Sequence, residues 1–191
     1  MQNTKVLELI RNIYPTLSDD TLEKILGHIQ LLKLPKGTKL FSQGKRHYHF
    51  YFIIKGAVKA YYLKDGKEIC SWFAAENDIV GNLSAHRGEA SNETIELLED
   101  VELISFQIQG INELAKNDLE VSHFIIEILY EEIIYLEKRI YDLQFVSSSE
   151  RYKRLLEEAP EIIQRVSLTD IASYLGVSRE TLSRIRGQRF P

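Results

Sequence analysis

The chain has 191 residues, 44% of them hydrophobic and 27% charged, which is room for one large domain or two small ones around a real core. No apolar run approaches the roughly 20 residues of a membrane span. The first ten residues carry Lys5 and Glu8 where a signal peptide would be apolar, and the single cysteine, Cys70, excludes internal disulfides and cysteine-rich zinc or iron–sulfur sites; a cytoplasmic location fits all three.

The net charge of −4 is unevenly spread. Residues 151–191 hold eight Arg and Lys against five Asp and Glu, so the tail is +3 and the remainder −7. Basic charge gathered at one end of an acidic body is the footprint of a DNA-reading tail.

In chain order, residues 4–14 (Val6, Leu7, Leu9, Ile10, Ile13) read as a short amphipathic helix stopped at Pro15. Ser18 is placed to cap a second helix that turns Leu22, Ile25, Leu26 and Ile29 inward. The period then changes. From Leu34 to Ile108 run short β-branched and aromatic segments, divided by Pro35-Lys36-Gly37, Gln43-Gly44, Lys55-Gly56, Asp65-Gly66, Glu76-Asn77-Asp78 and Arg87-Gly88. The strands expected are 38–41, 48–54, 57–63, 67–73, 78–81, 93–98 and 101–108, a spacing that predicts an antiparallel sandwich or barrel. Asp65-Gly66 is the clearest hairpin turn. His47 and His49, two apart, invite a metal-dependent cupin reading, but Phe52, Ile53 and Ile54 stand where a further carboxylate ligand is needed, and packing is the better account. Cys70, among Ile69, Trp72 and Phe73, is expected to be a small buried residue.

From about Gly110 to Phe145 a long helix is predicted. Ile126, Leu129, Ile133, Leu136, Ile140 and Leu143 recur at alternating spacings of three and four, the 3.5-residue period of helices that pair along a seam. A second stripe, Val121, Phe124, Ile125 and Ile128, covers another face. A helix apolar on two faces needs two partners, here its own N-terminal domain and an identical helix. Ser147-Ser148-Ser149 is a polar break and cap cluster, and a helix over 149–158 ends at Ala159-Pro160.

Residues 168–187 match a helix-turn-helix. Ser167 caps a first helix with Leu168, Ile171 and Leu175 inward, and Ala172 is small where a crossing helix comes close. Gly176 supplies a left-handed turn, Val177 plugs the gap, and Ser178 caps a second helix with Leu182 and Ile185 inward. Its outward face is Arg179, Glu180, Ser183, Arg184 and Arg186. Arginine forks suit guanine O6 and N7, and a glutamate accepts from cytosine N4. Arg186 and Arg189, late on the helix, fit phosphate contacts.

With a β-domain, a long pairing helix and Ser178-Arg179-Glu180-Thr181-Leu182-Ser183-Arg184, the chain resembles the CRP/FNR family of bacterial transcription regulators over nearly its whole length. Gly37, Gly44, Phe52-Ile53-Ile54-Lys55-Gly56, Asp65-Gly66-Lys67-Glu68 and Asp78-Ile79-Val80-Gly81 carry the resemblance in the first half. It implies an α+β fold: an antiparallel cyclic-nucleotide-binding-type β-roll (jelly-roll type) over 1–109, a dimerisation helix over 110–146 and a winged helix-turn-helix over 147–191. Few residues follow Ile185, so the wing is expected to be short or absent. It also implies DNA contacts through Ser178, Arg179, Glu180, Thr181, Ser183, Arg184 and Arg186, to a TTGAT-like or a TGTGA-like half-site. The effector site would involve Gly81, Asn82, Leu83, Arg87, Ser91 and Asn92.

Departures from the family pattern speak against cyclic AMP as the effector. Asn82 replaces the glutamate that holds the ribose, and Ser91-Asn92 replace the Arg-Ser pair that holds the phosphate; a buried phosphate without a cation is costly. The lone cysteine excludes an FNR-type cluster, and Trp72 stands where a haem-binding pattern built on Cys70 needs histidine. The reading is a homodimeric regulator of palindromic double-stranded DNA, with RNA polymerase as a further partner, an effector not identified, no membrane association and no enzyme activity. The alternatives from other classes are a cupin-like metal-dependent enzyme and a protein-interaction scaffold with a helical tail.

Overall fold

The computed structural model describes residues 2–187. Arg189 lies outside the described residues, as does any wing after Gly187 and the side chain of Ile13. Among the described residues the chain opens with α1 (Gln2–Ile13) and α2 (Asp19–Leu26), the latter capped as expected by Ser18, whose Oγ accepts from Thr21 N–H at 3.3 Å. Ile29 was expected to close that helix. Instead it begins β1 (Ile29–Leu34), paired antiparallel with β8 (Val101–Gln107) from Ile29↔Phe106 to Leu34↔Val101. Six ladder positions on a neighbouring strand outweigh the helical phase of one isoleucine.

The strands between are β2 (Lys39–Phe41), β3 (His49–Lys55), β4 (Val58–Lys64), β5 (Lys67–Ala74), β6 (Ile79–Val80) and β7 (Thr94–Leu97), each within a residue or two of its expected place. They form two antiparallel four-stranded sheets, ordered β1-β8-β3-β6 and β2-β7-β4-β5. Asp65 and Gly66 both take positive φ (52° and 74°), the two-residue hairpin turn between β4 and β5. Asn77 sits at φ 75°, the left-handed geometry asparagine tolerates.

Period-two alternation divides the side chains between layers. Phe41, Ile53, Val58, Ala60, Ile95, Leu97 and Leu103 fill the space between the sheets. Phe52, Ile104 and Phe106 face the other way and meet Ile10, Leu22 and Ile25 of the first helices. The outer face of the second sheet is covered too, by the C-terminal helices, through Ala57, Phe73, Ala75 and Leu98.

The stretch expected as one helix from Gly110 is two. α4 (Ile108–Ala115) ends, and α5 (Leu119–Phe145) restarts behind Asp118, whose Oδ1 accepts from the N–H groups of Glu120 (3.0 Å) and Val121 (3.4 Å). Thr21 and Lys24 of α2 donate to the same carboxylate, at 3.3 and 2.9 Å, and so moor the start of α5 to the roll. A capping aspartate that is also ion-paired favours a break over continuous helix. Ser147 caps α6 (Ser148–Glu158). Pro160 does not merely stop that helix: it opens a further short one, α7 (Pro160–Arg165), at the position proline tolerates best. A one-turn helix, α3 (Leu83–His86), was likewise not foreseen.

Candidate nucleic-acid interface and sensor cleft

The last two helices are α8 (Leu168–Tyr174) and α9 (Arg179–Gly187). Ser167 caps the first through Asp170 N–H at 3.1 Å and Ser178 the second through Thr181 N–H at 3.2 Å. Gly176 at φ 68° lets the chain reverse, and Val177 N–H closes back on Ala172 O at 3.0 Å. Ile171, Ala172, Leu175, Leu182 and Ile185 are buried together; Leu168, expected inward, stays 37% exposed. Burying that stripe presents the opposite side of α9 to solvent. Arg179, Glu180, Ser183, Arg184 and Arg186 are all exposed there, with Ser178 at the helix start and Thr181 half-buried. Arg184 Nη2 donates to Thr181 Oγ1 at 3.2 Å. Glu180 is held below the usual carboxylate range by the amide N–H at its own helix start, then by the Ser178 hydroxyl and the charges of Arg179 and Arg184. The face therefore offers charged donors and one carboxylate acceptor together, groups able to bond base edges and phosphate oxygens.

On α5 the two stripes part. Val121 and Phe124 are buried against the roll, with Ile125 and Ile128 packed beside them. Of the seam residues, Ile126, Ile133, Leu136, Ile140 and Leu143 are exposed and Leu129 is half-buried. Tyr130, Ile134, Tyr141 and Phe145, at 55–71% exposure, widen the apolar face beyond the residues the heptad singled out. The seven-residue step from Ile134 to Tyr141 was the signal that could have found part of this extension.

The six residues expected at an effector site differ in burial. Gly81 is half-buried after β6; Leu83, Arg87 and Asn92 are exposed. Asn82 caps α3 through Ser84 N–H at 2.9 Å and donates to Ser91 Oγ at 2.9 Å; Ser91 in turn donates to Glu93 O at 2.7 Å. The charged group buried beside this pair is Glu93, only 7% exposed, which sequence reasoning missed. Its Oε2 accepts from Ser71 Oγ at 3.3 Å and Trp72 Nε1 at 3.2 Å. Burial raises its pKa, the two hydrogen bonds act against that, and the charge of Glu132 on α5 adds to it. Its signal lay in its phase with Ile95 and Leu97 on the inward side of β7. Among these six residues the one cationic side chain, Arg87, is exposed, and the buried charge beside Ser91 is the carboxylate of Glu93, so the group offers an anionic phosphate no buried cation.

The His47–His49 pair is divided. His47 Nε2 accepts from Ser42 N–H at 2.9 Å, while His49 stacks on Tyr51. Among the described residues no three His, Cys, Asp or Glu side chains are grouped to hold a metal ion, and no helix is long and apolar enough to cross a membrane. Cys70 is buried and its thiol is pushed up to about 12, chiefly by burial.

Residues 31–118 match the family model of the cyclic nucleotide-binding domain. The chain is 27% identical over 178 residues to the transcriptional activator protein Anr of Pseudomonas protegens, covering 87% of this chain and 72% of that one. It is 23% identical over 181 residues to the cAMP-activated global transcriptional regulator CRP of Salmonella typhimurium, covering 88% and 86%. Among solved structures, FixK2 from Bradyrhizobium japonicum superposes with a TM-score of 0.74 at 22% identity, covering 84% of this chain and 83% of that one, a likeness of fold. The fold is thus one that solved relatives share, residues 31–118 form a cyclic nucleotide-binding-type domain, and the chain is similar over most of its length to transcription regulators of the CRP/FNR type.

Proposed function

We propose that this regulator acts as a homodimer that reads a palindromic site in double-stranded DNA through α9. The observation that carries this reading is the exposed face of Arg179, Glu180, Ser183 and Arg184 on a helix whose other side is fixed by Leu182 and Ile185. The division of labour is a sensor over 1–109, a dimerisation segment over 110–146 and a DNA-binding part over 147–191. An apolar stripe along a helix about 40 Å long is too extended to leave in water, and a second copy of the same helix matches its 3.5-residue period. Two reading helices joined in that way fit successive major grooves roughly 34 Å apart.

The sensor answers to an effector other than cyclic AMP, which shifts the population between DNA-competent and incompetent dimers. RNA polymerase is the expected protein partner, the cytoplasm the expected location, and no catalysis is assigned. The test is binding to duplexes with inverted TTGAT-like or TGTGA-like repeats over a range of salt. The logarithm of the binding constant should fall steeply and linearly with log salt, as counterion release requires. Absence of salt-dependent binding to either palindrome would leave the protein-interaction reading in its place.

A further inference from the structure

The reading head does not hang from α5 alone. It is docked on the outer face of the second sheet of its own chain. Arg165, at the end of α7, makes a two-pronged bond to Glu76, Nη1 to Oε2 and Nη2 to Oε1, both at 2.8 Å. Its Nε also donates to Glu99 at 2.8 Å. Glu76 and Glu99 sit in two different turns of the roll, after β5 and after β7. Glu76 is itself aimed by Gly56 N–H, 2.6 Å away. Further along, Ser173 of α8 accepts from the backbone N–H of Cys70 in β5 at 2.9 Å, Lys59 of β4 meets Asp170 at 3.2 Å, and Phe73 packs on Tyr174 at 5.3 Å between ring centres.

Partly exposed ion pairs contribute little as glue, and the apolar contacts of Ala57, Phe73, Ala75 and Leu98 already supply adhesion. What apolar contact lacks is direction. A planar guanidinium bonded on two sides to carboxylates from separate turns fixes an angle. We propose that Arg165, with Glu76 and Glu99, is a positioning clamp that sets the angle of the reading helix to the sensor roll, and so the half-site spacing the dimer accepts. It rests on the DNA-reading dimer proposed above. A change in the second sheet then reaches the reading helix directly through α7 and α8, beside any route along α5.

The test uses the full chain, Arg165→Ala, and the near-isosteric pair Glu76→Gln with Glu99→Gln. Each is titrated onto TTGAT-like and TGTGA-like inverted repeats whose central spacer changes one base pair at a time, and onto a single half-site. The wild type should favour one spacing, and in both variants that preference should shrink by about tenfold while single half-site binding stays unchanged. Folded, dimeric variants with the wild-type spacing profile would overturn the clamp and leave the DNA-reading dimer standing. Loss of a cooperative melt in the glutamine pair would make the three residues a structural brace and overturn it as well. A wild type that binds neither palindrome overturns the DNA reading and the clamp with it.

Discussion

Arg184 illustrates what a single position can reveal without any neighbour. A polar side chain on a solvent face needs no tertiary partner to be recognised, so Arg179, Glu180, Ser183 and Arg184 were legible from the phase of Leu182 and Ile185 alone. Arg184→Ala is expected to lose about 1–3 kcal/mol of discrimination between correct and altered half-sites, as one good base contact supplies; competition binding with mutated half-sites measures it. Glu93 is the contrary case. Its inward phase could be read, but its donors Ser71 and Trp72 lie on another strand, and only folding brings them within 3.3 Å. A carboxyl whose folded pKa lies above its unfolded value favours the folded state while protonated. That contribution is present below the unfolded value near 4.5 and is lost as pH rises through the folded one. Glu93→Gln should therefore raise the melting temperature at neutral pH, by a margin that shrinks as pH falls towards 4.5. Melting curves across that range check both size and sign, and calorimetric titration of either protein with cyclic AMP should give no binding heat.

Among the elements, α5 was foreseen by its period and misplaced at its start. Periodicity reports which residues share a face, and Ile111 and Leu114 of α4 are apolar in nearly the same rhythm. It does not report that Asp118 would collect two backbone N–H groups, Thr21 and Lys24. The lysine bond holds this carboxyl below its usual range. β1 was missed for a related reason: its register is supplied by β8, about seventy residues later. The exposed seam makes its own prediction. Ile133 is 57% exposed in the single chain, so Ile133→Asp should cost the fold little yet place a charge in the middle of the stripe proposed to pair. Sedimentation should show mostly monomers, with the far-ultraviolet spectrum unchanged.

At the scale of the whole molecule, the second sheet holds a core on one side and helices α7 and α8 on the other, and ionic contacts join the apolar ones that hold those helices there. Arg165 holds the carboxyl of Glu76 at about 2, well below the usual 4.5. For a lowered carboxylate the sign is opposite to that of Glu93. The contribution is present above the unfolded value and lost as pH falls through the folded one. Between about 4.5 and 2 the docking of α7 and α8 should weaken. Hydrogen exchange at Cys70 N–H and in α8 should rise there before exchange in β3 or β8. Glu76→Gln should show the faster exchange already at neutral pH.

The sequence by itself determined seven of the eight described strands, their turns, the apolar stripe of α5 and the outward face of α9. Each depends on side-chain period and on local backbone preference, and neither refers to anything distant. Only the tertiary structure decided where α5 begins, that Glu93 lies buried beside Asn82 and Ser91, and that α8 rests on β5. Those outcomes are meetings between segments far apart in the chain, settled by which donors and carboxylates the closed fold brings within bonding distance.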